Sequence, residues 1–181
     1  MSRASLVVVL AEDERHQRLV RRYLYKLHYQ SHDIRFVDLP NGRGCGAQWV
    51  LQRYVAEVKK YRTRAAGAKT ALMVAIDADT GHVAERDREL RRAFEKEGLA
   101  ARKPDEAVVH LIPKRNVETW ILCLSGEQVD EITDYKQRRD LDALISTAAV
   151  TFFEWSRINA VQPAHRVPSL AAAIPEVRRL E

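Results

Sequence analysis

The run ALMVAIDADTGHVAERD, residues 71–87, decides how this chain folds. Residues 71–76 are apolar without alternation, the pattern of a strand covered on both faces in a parallel sheet flanked by helices. The run stops at two carboxylates, Asp77 and Asp79, with only Ala78 between them, and helical spacing begins near Val83. A buried strand that ends in acids and turns into a helix is half of a βαβ unit. Its acids stand at the carboxyl end of the strand, where open α/β sheets gather their ligands.

The same pattern recurs on either side. SLVVVLA (5–11), DIRFVDL (33–39) and AVVHLIP (107–113) are short β-branched or apolar runs, and helical periodicity fills 14–28, 47–62 and 83–98, the last closed by Gly98 as a C-cap. Four strands alternating with helices predict an α/β fold: a mostly parallel four-stranded, Rossmann-like sheet with helices on both faces. After Asn116 only helical patterns remain, at 117–124, at about 139–158 and in a short segment after Pro168. Leu141, Leu144, Ile145, Phe152, Phe153 and Trp155 are too apolar to stay in water. Residues 126–181 are therefore expected to form a helical C-terminal extension packed on an α/β domain of residues 1–125.

Composition narrows the partners. With 181 residues, 46% hydrophobic and 30% charged, the chain can bury a core without metal or disulfide staples. Its 30 Lys and Arg against 25 Asp and Glu favour a polyanionic partner. Two cysteines, Cys45 and Cys123, make neither a disulfide framework nor a zinc site. No signal-peptide pattern opens the chain, and the apolar run 6–11 is too short to cross a bilayer, so the expectation is a cytoplasmic protein with no membrane segment.

Acids end the strands repeatedly: Glu12, Asp13 and Glu14 after the first, Asp77 and Asp79 after the third, Asn116 and Glu118 after the fourth. Parallel strands point one way, so these clusters converge on one edge and call for a counterion. A hard cation such as Mg²⁺ (or Mn²⁺) suits them, since it takes carboxylate oxygens and keeps waters for a phosphate. In an extended segment, Asp77 and Asp79 would project to the same side. The structural alternative is helix capping by Asp79 or Thr80 ahead of Val83, by Asp13 and Glu14 ahead of the first helix, and by Asn116 with Glu118 in the first turn. If repulsion dominates the cluster, Asp77→Asn leaves the metal-free fold as stable or more so.

Lys114 and Arg115 follow the fourth strand at the same edge, where they would grip a scissile phosphate. Other basic pairs read as solvated helix faces, and His16 and His82 as exposed residues near helix starts, with a proton-shuttle or metal-ligand role as the alternative. The loop 40–46 carries Gly42, Arg43, Gly44 and Gly46 ahead of a helix. It is either a surface loop or a backbone phosphate contact, and not a Walker A loop, because Ala47 and Gln48 follow Gly46.

Taken together, VVVLAEDE, VAIDADTG and LIPKRNVETWIL resemble the TOPRIM domain, in particular the small stand-alone or OLD-nuclease-like members found beside prokaryotic antiviral defence systems. The resemblance covers about residues 5–124. It implies that Glu12, Asp77 and Asp79 hold one or two Mg²⁺ or Mn²⁺, with Glu118 as a further metal ligand. It also implies nuclease activity on DNA or RNA, with a separately encoded ATPase as a possible partner. Asp13 stands where many TOPRIM sequences have glycine. The first segment also resembles a receiver domain, although the receiver's Lys-Pro is reversed here as Pro113-Lys114. DADTG resembles a haloacid-dehalogenase phosphatase motif, with Gly81 where that motif has threonine. The alternative to a nuclease is a receiver-like or TOPRIM-like regulatory module.

Overall fold

Every strand in the sheet runs the same way, and the reason is visible in its residues. The computed structural model describes residues 3–40 and 46–180. In it, β1 (Leu6–Ala11), β2 (Ile34–Phe36), β3 (Thr70–Ala75) and β4 (Val108–Leu111) form one parallel sheet in the order β2-β1-β3-β4. Between and after them lie α1 (Glu14–Lys26), α2 (Gly46–Ala65), α3 (Val83–Lys96), α4 (Val117–Leu124), α5 (Leu141–Ser156) and α6 (Pro168–Val177). The central strands β1 and β3 are apolar at successive positions because both of their faces are covered. Val7, Val9, Ala71 and Met73 pack on one side with α1, α4, α5 and α6, while Val8, Leu10, Leu72 and Val74 pack on the other with α2 and α3.

The expected α/β class and helices on both faces are therefore present. β2 is shorter than its apolar stretch, and Val37 adds only one further hydrogen bond to β1, from its N–H to Val9 O at 2.9 Å. The third helix ends as its glycine requires: Gly98 has φ +63°, and the N–H groups of Gly98 and Leu99 return to Glu95 O and Phe94 O. The α5 side chains Leu141, Ile145, Ala148, Ala149 and Phe152 belong to the same core as α1 and β1, so this part of the extension shares the sheet's own interior. The Phe152 ring lies 4.8 Å from that of Tyr23 of α1, tilted by 38°. No helix of the described residues is long and apolar enough to cross a membrane.

Strand order reverses between β1 and β3: the chain leaves β1 toward β2 on one side and returns to β3 on the other. Right-handed crossovers then place α1 on one face and α2 and α3 on the opposite one. The helices diverge at that point and leave a crevice above the carboxyl ends of β1 and β3.

Candidate metal centre

Glu12 leaves β1 on the α2 face, Asp77 leaves β3 on the α1 face, and the two meet above the switch point. Glu12 N–H donates to Ala75 O at 2.9 Å, which continues the β1–β3 ladder one residue further, and Asp77 N–H donates to Glu12 Oε2 at 2.9 Å. With Asp79, these residues offer carboxylate oxygens that all lie within 4.8 Å of one another, a spacing that one cation can bridge.

The same-side argument for Asp77 and Asp79 does not survive. β3 ends at Ala75, and Asp79 has φ +55°, so the segment is not extended. That left-handed turn, tolerated by aspartate better than by most residues, swings the Asp79 carboxylate back toward Glu12. Neither Asp79 nor Thr80 caps α3; His82 does, with its N–H donating to Glu85 at 3.0 Å. The strained turn is thus not explained by capping.

His16 is a further correction, since it is only 2% exposed. Asp13 caps α1 by accepting the His16 N–H at 3.0 Å, and this turns the imidazole inward between two carboxylates. Nδ1 lies 2.9 Å from Asp13 and Nε2 lies 3.0 Å from Asp77, so the doubly protonated ring fits best. Burial alone would favour a neutral ring, but Asp77 and Asp13 outweigh it and raise the His16 pKa well above its ordinary value. Burial would likewise raise Asp13, but its bond to His16 holds it well below the usual carboxylate range. Asp13 thus both caps α1 and holds the His16 ring.

Among the buried oxygens with no hydrogen-bond partner in the described residues are Asp77 Oδ2 and Glu118 Oε2. Glu118 is 1% exposed, which ordinary first-turn helix chemistry does not require, and its other oxygen pairs with Arg15 at 2.7 Å. It does not join the three clustered acids, although Asn116 caps α4 as expected. Burial, reinforced by the charge of Asp77, pushes Glu12 up to about 7 against the lowering influence of His16. The raised carboxyl of Glu12 and the unpartnered Asp77 Oδ2 thus belong to one acidic cluster. The donor set, all hard oxygen, fits a cation.

Three groups escape a sequence reading. Arg86, one turn into α3, donates to Asp77 O at 2.8 Å and to Asp79 at 3.3 Å. Lys136 lies in the loop after α4, pinned there by its N–H to Asp134 at 3.0 Å. Partial burial would lower the Lys136 pKa, but Asp77, Glu118, Asp79 and Glu12 together raise it, so its ammonium shares their field. Gly46 is the third: a Cβ on it would stand 2.6 Å from Glu12 Cγ and 2.9 Å from Glu12 O. Its companions Gly42, Arg43, Gly44 and Cys45 lie outside the described residues. No motif marks Arg86 or Lys136, and the contact between Gly46 and Glu12 is tertiary. Gly46→Ala is expected to weaken Mn²⁺ binding by roughly 10- to 100-fold, as disturbing a ligand-orienting contact does. Titration of the variant against circular dichroism of the same sample would separate this from unfolding.

Lys114 and Arg115 reach the expected edge, but both hold loops. Lys114 Nζ donates to Gly81 O, and Arg115 pairs with Asp134 at 3.3 Å. His82 is exposed, as expected, and Cys123 is a buried free thiol in α4. An open cleft of about 440 Å³ borders the acids, lined by Glu12, Gly46, Gln48, Asp79, Arg86 and Glu89 among others. No protein-family model, curated protein or solved structure matches the chain.

Proposed function

We propose that this protein is a metal-dependent nuclease that hydrolyses phosphodiesters of DNA or RNA, with Mg²⁺ or Mn²⁺ held by Glu12, Asp77 and Asp79. The observation that carries the reading is the convergence of these three acids within 4.8 Å at the switch point of a parallel sheet. Glu118, buried with an unpartnered oxygen and acting on the same Lys136 as the three acids, is the candidate for a second ion. The resemblance of the strand-end motifs to TOPRIM proteins supports the same reaction class and a separately encoded ATPase as partner.

When bound, the cation supplies Lewis-acid polarisation of a phosphoryl oxygen and a water of lowered pKa. The chain's own groups do the rest. Asp77 is fixed by His16, Glu12 by the Asp77 N–H, and Asp79 by Arg86, so three ligand oxygens are aimed before any ion arrives. Among the described residues the cleft carries Glu12, Asp79 and Glu89 against Arg86, an acidic excess that a bound cation would offset before a polyanion approaches. Lys136, in the field of the same acids, offsets part of their charge before the ion arrives.

The test is cleavage of labelled DNA and RNA in Mg²⁺ or Mn²⁺, with and without EDTA. With burial and the Asp77 charge raising its pKa to about 7, Glu12 must lose a proton to bind a cation. Mn²⁺ affinity is therefore expected to rise roughly tenfold per pH unit below that value and to level off above it. A flat profile in calorimetric titrations would remove Glu12 from the ligand set.

The receiver reading draws support from the strand order, which receivers share at these positions. Against it, the residue in the phospho-acceptor place, Asp77, is 1% exposed with one oxygen held by His16. Incubation with acetyl phosphate is expected to leave no labile aspartyl phosphate.

A further inference from the structure

β4 is the last strand of the sheet, and an edge strand exposes the N–H and C=O groups of every second residue. On its inner side, Ala107 O and Leu111 O accept the N–H groups of Leu72 and Ile76 from β3. The groups of Val108 and His110 therefore point outward, where a fifth strand would pair. Two side chains already occupy that place. Arg102 Nη1 donates to Val108 O at 2.7 Å, and His110 N–H donates to Glu176 Oε2 at 3.0 Å.

In a parallel ladder, one residue of the neighbouring strand gives its N–H to the carbonyl before a given position and takes the N–H after it. Around Val109, Arg102 supplies that N–H and Glu176 supplies that oxygen. The two side chains are joined to each other by an ion pair, with Arg102 Nη2 3.2 Å from Glu176 Oε1. The arginine comes from the loop before β4 and the glutamate from α6, so the pair forms only when the C-terminal helix is docked. Arg179 braces Glu176 from the next turn at 3.2 Å. Burial would raise the Glu176 pKa, but Arg102 and the His110 N–H hold it low, so the carboxylate stays charged.

We propose that the Arg102–Glu176 pair is an edge guard, standing in for a fifth strand beside β4 and keeping that edge from pairing with a second copy of the chain. The second copy is the occupant the geometry favours, because a strand edge is complementary to itself. Two β4 edges related by a two-fold axis meet antiparallel and satisfy the same Val108 and His110 groups in both copies. The inference is independent of the nuclease reading.

The test is sedimentation velocity of Arg102→Ala with Glu176→Ala up to concentrations on the order of 100 µM, together with hydrogen exchange at the His110 amide. The double variant is expected to show a concentration-dependent doubling of mass that the wild type lacks. Its His110 amide should exchange fast when dilute and slowly when concentrated. A folded double variant that keeps the wild-type mass at every concentration, with wild-type exchange at His110, overturns the proposal. Should the double variant not fold, Glu176→Gln replaces it: glutamine keeps the size but loses its charge attraction for Arg102. Faster His110 exchange than wild type then supports the guard, and unchanged exchange overturns it.

Discussion

Glu12→Ala and Asp79→Ala should each remove Mg²⁺-dependent cleavage by on the order of 10³-fold or more, since metal stabilisation of the transition state supplies several kcal/mol. The two positions probe different links in one site. Glu12 belongs to the β1 end and touches the α2 start through Gly46, whereas Asp79 sits in the strained turn after β3 and touches α3 through Arg86. Loss of activity in both, with the fold intact, ties the reaction to the point where the carboxylates meet. Lys114→Ala with Arg115→Ala should behave differently, weakening nucleic-acid binding and flattening its salt dependence by about one unit of log–log slope for each phosphate no longer neutralised. Because Lys114 holds the Gly81 carbonyl and Arg115 holds Asp134, circular dichroism must accompany that measurement. Cleavage that survives both acid substitutions, or that proceeds equally in EDTA, would replace the nuclease reading with that of a regulatory module. The assay should include any ATPase encoded beside the gene, so that a partner needed to present substrate is present.

The sheet was legible because its signal is local. Apolar runs such as residues 71–76 need no partner to be recognised as strands buried on both faces, and Gly98 marks its own helix end. The acids were legible for a related reason, since parallel strands carry whatever ends them to one edge. What the sequence concealed depends on how α1, α2 and α3 lean over that edge. His16 follows an acidic cluster like any helix-start residue, and only the Asp13 cap and the closeness of β3 turn it into a buried bridge to Asp77. Gly46 reads as one glycine of a loop until the α2 start is laid against Glu12. Arg102 and Glu176 are 74 residues apart, and nothing in either segment announces that they meet at a strand edge.

The same distinction sets opposite expectations for two neighbouring acids. Repulsion alone would make Asp77→Asn neutral or stabilising. The fold reverses that expectation, because Asp77 is half of a buried ion pair whose other half, His16, is 2% exposed. Asparagine keeps an oxygen for Nε2–H but not the charge. Breaking such a pair costs about 3 kcal/mol, the lower end of the usual range, because Asp13 still faces Nδ1. A raised histidine pKa contributes stability that is full below its ordinary value and lost as pH rises through the raised one. The deficit of Asp77→Asn should therefore be clear at neutral pH.

Glu12→Gln should do the opposite. A carboxyl group raised from 4.5 to about 7 contributes stability below the lower value that disappears as pH climbs through the higher one. Glutamine never acquires that charge and still accepts the Asp77 N–H. The variant is thus expected to match wild type in metal-free melting near pH 4.5 and to exceed it near pH 8. Added Mg²⁺ should raise the wild-type melting temperature and leave Glu12→Gln unmoved, since binding stabilises only a site that retains its ligands. If Glu12→Gln melts lower than wild type at pH 8 and Mg²⁺ has no effect on either protein, the acids are scaffold. The parting of the two pH profiles above pH 4.5, closed again by Mg²⁺ in the wild type alone, is the signature that separates a poised metal site from a merely crowded one.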